Sequence, residues 1–208
     1  MKKVLFFIRS LNTGGSERQL VVTSKGLAER GYEVVVLTFY SGGNFADELS
    51  NTKVRLLSLN KKGRWDIISF FYRLISILKN EIPDVLYSYL GVANIFSVLI
   101  RPFVPRTQVV WGVRTSNMDL ERYDWAARWS YWLECRLARF ADCIVANSFA
   151  GRKFALEHGF PESKMVVIAN GIDTKDFCPD ETARNRLRKI WGIDENEKLI
   201  GLIARIDP

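Results

Sequence analysis

The sequence predicts an α/β protein, a doubly wound parallel sheet with helices on both faces, and three observations carry that prediction. Apolar runs of strand length alternate with longer segments of helical period, and each parallel crossover needs a helix between its strands. Two adjacent glycines, Gly14 and Gly15, stand between the first strand run and the first helix. The composition, 48% apolar with 12% aromatic residues, is that of a packed globular chain rather than a disordered one.

Taken in order, "VLFFI" (4–8) is a buried strand and residues 16–30 form a helix, with Ser16 as N-cap and Gly31 as the closing signal. Strands follow at "EVVVLTF" (33–39) and "VRLLSL" (54–59), then a strongly apolar helix over 65–80 ended by Pro83. "DVLYSY" (84–89) is the next strand, then a helical "NIFSVLI" and "QVVWGV" (108–113). A long helix covers about 121–140, and "DCIVANS" (142–148) precedes a helix capped by Ser148 that runs to His158. "KMVVIAN" (164–170) is a strand, 181–191 a helix, and "KLIGLIARI" (198–206) begins a final strand. The expected organisation is one domain over 1–170, a connection over 171–196, and the first strand of a second domain over 197–208.

Several function classes are disfavoured at once. The net charge of +7, from 30 Lys and Arg against 23 Asp and Glu, favours anionic partners. These charges are dispersed, without a basic arm or zinc finger, so no nucleic-acid partner is expected. Cys135, Cys143 and Cys178 form no C-x-x-C pair and His158 is the single histidine, so no metal centre is expected and reduced thiols suit a cytoplasm. His158 itself reads as a helix-end residue before Gly159. The opening "MKKVLFFIRS" is too short in its apolar run for a signal peptide, and no stretch reaches membrane-spanning length.

A strand, a Gly-Gly turn and a helix N-terminus make an anion site from free N–H groups and the helix dipole; the same dipeptide also serves as a plain tight turn. The loop lacks the G-x-G-x-x-G spacing, and its second strand ends in Thr38, Phe39 and Tyr40 without the acid that holds a ribose. The phosphate loop G-x-x-x-x-G-K-[ST] is absent too. Neither a nicotinamide dehydrogenase nor a P-loop enzyme is expected.

Four segments in order carry a resemblance: "GGSER" (14–18), "ADCIVANS" (141–148), "NGIDTKDFCP" (170–179) and "IARIDP" (203–208). Together they resemble the family-four retaining glycosyltransferases, whose GT-B fold sets two Rossmann-like domains across a cleft. The resemblance covers essentially the whole chain, as the N-terminal domain plus the start of the C-terminal one. It implies that Gly14, Gly15 and Glu17 approach the donor phosphates or the acceptor; Glu17 also reads as a first-turn acid complementing the helix dipole. It implies that Asn170 and Asp173 lie at the crossing between domains, although Asn170-Gly171 is also an ordinary turn pair.

By the same resemblance Arg205 is the arginine that grips the donor diphosphate, a task suited to a guanidinium fork. Ala204 stands where the family usually has glycine, and the partner lysine falls past Pro208. Many members carry a histidine after the fifth strand; here "WGVRTSN" places Arg114 there, with Asn117 nearby, as in a subset of the family. Arg114 cannot act as a base, because its proton is essentially never lost. It is expected to hold the acceptor or offset leaving-group charge, or else to be an exposed strand-end charge. Asn94 is a weaker cleft candidate, being also a common helix-cap type.

The resemblance implies no cofactor and no metal, only a sugar nucleotide as donor substrate and a glycan or lipid-linked acceptor as partner. The leaving diphosphate takes the acceptor proton, so no protein nucleophile is required. The expected function is sugar-nucleotide-dependent glycosyl transfer in cell-surface glycan assembly. The alternatives are another GT-B enzyme, such as a sugar-nucleotide epimerase, and a non-catalytic membrane- or partner-binding module.

Trp125, Trp129 and Trp132 fall at i, i+4 and i+7 among Arg122, Arg128, Arg136 and Arg139. Such a helix suits an anionic bilayer or a lipid-linked acceptor. It equally suits core packing beside Leu133 and Leu137, with arginine stems covering the edge, and core packing is the preferred reading. The expected location is the cytoplasm, at the inner face of the membrane if that helix meets lipid.

Overall fold

The computed structural model describes residues 1–63, 65–114, 124–175 and 177–202. The chain divides into two compact units, Met1–Gly171 and Ile172–Pro208.

In the first unit the strands are β1 (Lys3–Ile8), β2 (Glu33–Thr38), β3 (Arg55–Ser58), β4 (Val85–Tyr89), β5 (Gln108–Val113), β6 (Cys143–Ala146) and β7 (Met165–Val167). All pair in parallel, in the order β3-β2-β1-β4-β5-β6-β7. The helices between them are α1 (Gly15–Glu29), α2 (Asp47–Ser50), α3 (Ile68–Glu81), α4 (Gly91–Leu99), α5 (Trp125–Leu137) and α6 (Phe149–Glu157). The doubly wound parallel sheet expected from the alternation of periods is therefore present.

Period-two alternation explains the two cores. In β1, Val4, Phe6 and Ile8 join Leu20, Val21, Val34 and Val36 on one face, while Leu5 and Phe7 join Val35, Leu37, Phe70 and Leu74 on the other. A central parallel strand is buried on both faces, which is why it reads as an unbroken apolar run. A third cluster around Val109, Trp111, Ile144 and Phe160 seals the β5–β6 end.

The sequence reading needs local corrections. Ser16 is not the cap of α1; Gly14 is, in extended backbone with no side-chain cap. The strands expected at 142–148 and 164–170 shorten to four and three residues. Ser148 does cap α6, accepting from the Gly151 N–H at 3.0 Å. The short α2 was not anticipated.

In the second unit, α7 (Glu181–Trp191) matches the expected helix. Asp180 caps it, accepting from the Ala183 N–H at 2.9 Å. Residues 198–202 form no strand, contrary to the expectation, and the remainder of that segment lies outside the described residues.

Candidate functional site

Strand order reverses between β1 and β4, since β2 and β3 run off one side of β1 and β4 to β7 off the other. Ligands of open parallel sheets bind at the carboxyl ends of the strands flanking such a switch point. The loop after β1, the β4–α4 turn, the end of β5 and the segment after β7 all open on this edge.

The Gly-Gly loop enters α1 here, with Gly15 exposed. A Cβ at Gly14 would overlap the Glu17 carboxylate, whereas one at Gly15 would meet nothing within 4 Å. The close approach at Gly14 is to the end of a flexible side chain, and its φ of −174° is open to any residue, so a larger residue there would displace the Glu17 carboxylate rather than strain the backbone. Glu17 folds back over the helix start in the third position of the helix, where an acid complements the dipole.

Arg114, immediately after β5, is anchored twice. One terminal nitrogen donates to Asn170 Oδ1 at 2.6 Å and the other to the Tyr89 hydroxyl at 2.8 Å. Its guanidinium carbon also lies 4.6 Å from the Tyr89 ring centroid, and Tyr89 is fully buried. The structure therefore joins Arg114 and Asn170, two residues singled out in the sequence, and the exposed strand-end reading of Arg114 does not hold. Burial raises the neighbouring Tyr87 hydroxyl far above its ordinary range.

Gln19 was missed. From the second turn of α1 its amide grips the Gly171 backbone in both directions, donating to the carbonyl at 2.7 Å and accepting from the N–H at 3.0 Å. The partners are 152 residues apart, and a lone helical Gln gives no sequence signal of such a clamp.

Asn94 does not face an open cleft; it is fully buried in α4. Its Oδ1 accepts from Ser88 Oγ at 2.8 Å and its Nδ2 donates to Glu134 Oε1 at 2.8 Å. Ser88 in turn contacts Ser97 Oγ, which accepts from the Trp111 indole at 2.9 Å. This polar chain links β4, α4, β5 and α5 beneath the crevice. Glu134, 8% exposed, is the one buried residue of α5. Burial lifts its carboxyl to about 7, against the opposing pull of the Asn94 amide.

The preferred core reading of the three tryptophans fails. Trp125, Trp129 and Trp132 are 79%, 59% and 51% exposed, and Arg136 lies over the Trp132 ring at 5.3 Å. The helix turns its tryptophans out and its glutamate in.

Asp173 belongs to the second unit, where its carboxylate accepts from the Lys175 N–H at 2.9 Å. Asn117 and Arg205 lie outside the described residues. Among the described residues no cluster of His, Cys, Asp or Glu has the makings of a metal centre. No described helix is long and apolar enough to cross a membrane.

A seven-stranded parallel sheet with helices on both faces and a strand-order switch point defines a Rossmann-like α/β domain. The sequence narrows that class: residues 13–176 match the model of Glycosyltransferase Family 4. The chain belongs to that family. Over 103 residues it is 34% identical to a Campylobacter jejuni enzyme named as a GalNAc-α-(1→4)-GalNAc-α-(1→3)-diNAcBac-PP-undecaprenol α-1,4-N-acetyl-D-galactosaminyltransferase, covering 46% of this chain and 28% of that one. The fold is shared with HepE of Anabaena, solved with UDP-glucose, at a TM-score of 0.73, with 21% identity, 92% of this chain and 50% of that one covered. It also resembles the UDP-GlcNAc 2-epimerase of Neisseria meningitidis, at a TM-score of 0.62, with 14% identity, 94% of this chain and 56% of that one covered. The chain spans between about a quarter and about half the length of these relatives.

Proposed function

We propose that this chain is the acceptor-side part of a sugar-nucleotide-dependent retaining glycosyltransferase acting in cell-surface glycan assembly. The observation that carries the reading is the family match over 13–176, which encloses the Gly-Gly loop, the β4–α4 turn, Arg114 and Asn170. The epimerase alternative has less support, since that likeness is one of fold alone.

The crevice suits a hydroxylated acceptor better than a phosphate. Glu17 already places a carboxylate at the positive end of α1, where it repels an anion and accepts hydrogen bonds from sugar hydroxyls. Gly14 and Gly15 let the acceptor approach the backbone. Arg114, permanently charged and held by Tyr89 and Asn170, offsets charge on the departing diphosphate without exchanging a proton. Asn94 acts from below, by shaping the turn, and Asn117 remains a proposed acceptor contact. The donor diphosphate falls to Arg205 and to groups outside this chain, with 171–196 as connection, Asp173 within it, and 197–208 opening the donor-side domain. No cofactor enters; the sugar nucleotide is a substrate.

The test is transfer from labelled UDP- and GDP-sugars to undecaprenol-linked acceptors by a protein extended to the relatives' full length. Transfer with retained anomeric configuration supports the reading, and epimerised sugar nucleotide as sole product overturns it. This chain alone is expected to bind sugar nucleotides only near millimolar. Charge-assisted hydrogen bonds contribute about 1.5–3 kcal/mol each, and each ~1.4 kcal/mol is tenfold in affinity. Micromolar binding by calorimetry would place the donor grip in the wrong part of the molecule.

The exposed tryptophans favour a second element of the same reading: α5 rests on the cytoplasmic face of an anionic membrane, near a lipid-linked acceptor. Co-sedimentation with phosphatidylglycerol vesicles, weakened by Trp129→Ala with Arg128→Ser, supports it. Equal partition with neutral and anionic vesicles counts against it.

A further inference from the structure

The β4–α4 turn has unusual features at two consecutive residues, Leu90 and Gly91. Leu90 has φ 72° and ψ 154°, a region essentially reserved for glycine and costing a leucine about 1–3 kcal/mol. Such strain persists only where surrounding contacts over-determine it. Its N–H donates to the Gly112 carbonyl at 3.3 Å, and the Asn94 amide approaches the same oxygen at 3.5 Å. At the next residue, a Cβ on Gly91 would come within 2.6 Å of Glu134 Oε2. The Glu134 carboxylate therefore fills the space above the first residue of α4, one oxygen on Asn94 and the other over Gly91.

We propose that Glu134 is a positioning residue for the crevice: through Asn94 and Gly91 it sets the Tyr89–Leu90–Gly91 turn, and gaining or losing its proton resets that turn. Ionised, the carboxylate draws the Asn94 amide and complements the N-terminal end of α4. Neutral, it loosens both, and Asn94 leans toward the Gly112 carbonyl that also holds Leu90. Tyr89, the preceding residue, props Arg114, so the reset reaches the strand-end charge of the site.

The surroundings make this carboxylate the group that titrates. α4 carries no ionisable side chain, β4 contributes Ser88 through Asn94, and β5 contributes the Gly112 carbonyl. On α5 itself, Tyr131 and Cys135 sense its charge, and burial raises both, Cys135 to about 11. From α6, His158 packs edge-on against Tyr131. Arg128 and Arg136 are exposed. Its raised value near neutrality puts the change inside the working pH of a cytoplasm.

The proposal rests on the transferase reading only for what the turn serves, so the experiment has two arms. In the first, backbone amides of Leu90 and Gly91 and the Asn94 side-chain amide are followed by NMR from pH 5.5 to 9. They are expected to titrate together near pH 7 in the native chain and not in Glu134→Gln, which keeps an acceptor for Asn94. Asn94→Ala, which removes the hydrogen bond favouring the ionised form, is expected to move the Gly91 midpoint upward by about half a unit or more. A flat response in the folded native chain, or an unchanged titration in Glu134→Gln, overturns the proposal. In the second arm, methyl α-glucoside is titrated at pH 6 and pH 8. A several-fold affinity difference in the native chain that vanishes in Glu134→Gln supports positioning, and an equal difference in both overturns it. If the glucoside shifts no crevice resonance at all, the acceptor reading fails while the first arm still decides the role of Glu134.

Discussion

The two sides of α5 invert the usual rule. The side packed against α4 presents Glu134, with a carboxyl at about 7; the opposite side presents three tryptophans, each more than half exposed. A helix selected for stability alone would place these residues the other way round. Burying a carboxylate with one amide partner costs free energy, and exposing large aromatic surface gains none. Both departures are explained if the buried side serves the crevice and the outer side serves a partner surface.

The largest expected effect comes from placing a lysine on either side. Glu134→Lys would bury a cation beside the positive end of α4, leaving the Asn94 amide without its acceptor. It is expected to cost about 3–5 kcal/mol, by analogy with a broken buried pair, or roughly 6–20 °C in melting temperature for a chain of this size. Trp129→Lys, on the exposed side, is expected to stay within about 1 kcal/mol. Urea unfolding of both variants measures the contrast, and similar losses would erase it.

A smaller effect comes from pH. The Glu134 carboxyl is raised from its ordinary 4.5 to about 7 in the folded chain. Between those values the folded chain keeps a proton that the unfolded chain has lost, so rising pH favours unfolding. The stability tied to this group is complete below pH 4.5, declines through the window and levels off above pH 7, with a span of about 3 kcal/mol at most. Glu134→Gln is expected to remove this slope, so that the variant gains on the native chain from pH 5 to pH 8. Asp66, lowered by hydrogen bonds from Ser69, the Lys62 N–H and Arg73, and Glu81, pushed up by burial but lowered on balance by Arg55 and Lys3, act in the opposite direction and are common to both proteins. A constant difference between the two proteins across this range would show that Glu134 does not titrate there.

This inversion also marks where the sequence was legible. The sheet was readable because β1 and β2 carry unbroken apolar runs, a local signature of burial on both faces. Arg114 was singled out by the family resemblance, standing where many members carry a histidine, and what the structure adds is its contacts with Tyr89 and Asn170. The orientation of α5 was not: tryptophans at i, i+4 and i+7 give the same stripe whether a core or a membrane meets them. Glu134 gave no signal because its burial is set by Asn94 and Gly91, 40 or more residues earlier, and Gln19 is silent for the same nonlocal reason. Ser16 misled because serine caps helices often, whereas the helix here starts two residues earlier, at a Gly14 that offers no side-chain cap. Asn117 and Arg205 lie outside the described residues.

The smallest effect sharpens the outer side. Trp129 is 59% exposed, so less than half of its surface is withdrawn from water. Burying a large apolar side chain completely stabilises by about 3 kcal/mol, which bounds Trp129→Ala at roughly 1 kcal/mol once partial burial and alanine's better helix propensity are included. Trp132→Ala should lose a similar amount plus the exposed Arg136 contact, about 0.5–1 kcal/mol. In the absence of lipid, both variants are therefore expected to unfold within about 2 kcal/mol of the native chain at pH 8, in urea, with unchanged slopes. With phosphatidylglycerol vesicles present, the same two variants should lose most of the vesicle-bound fraction. A loss of 3 kcal/mol or more without lipid would mean that the tryptophans pack against protein in solution, and the outer side of α5 would then be core after all.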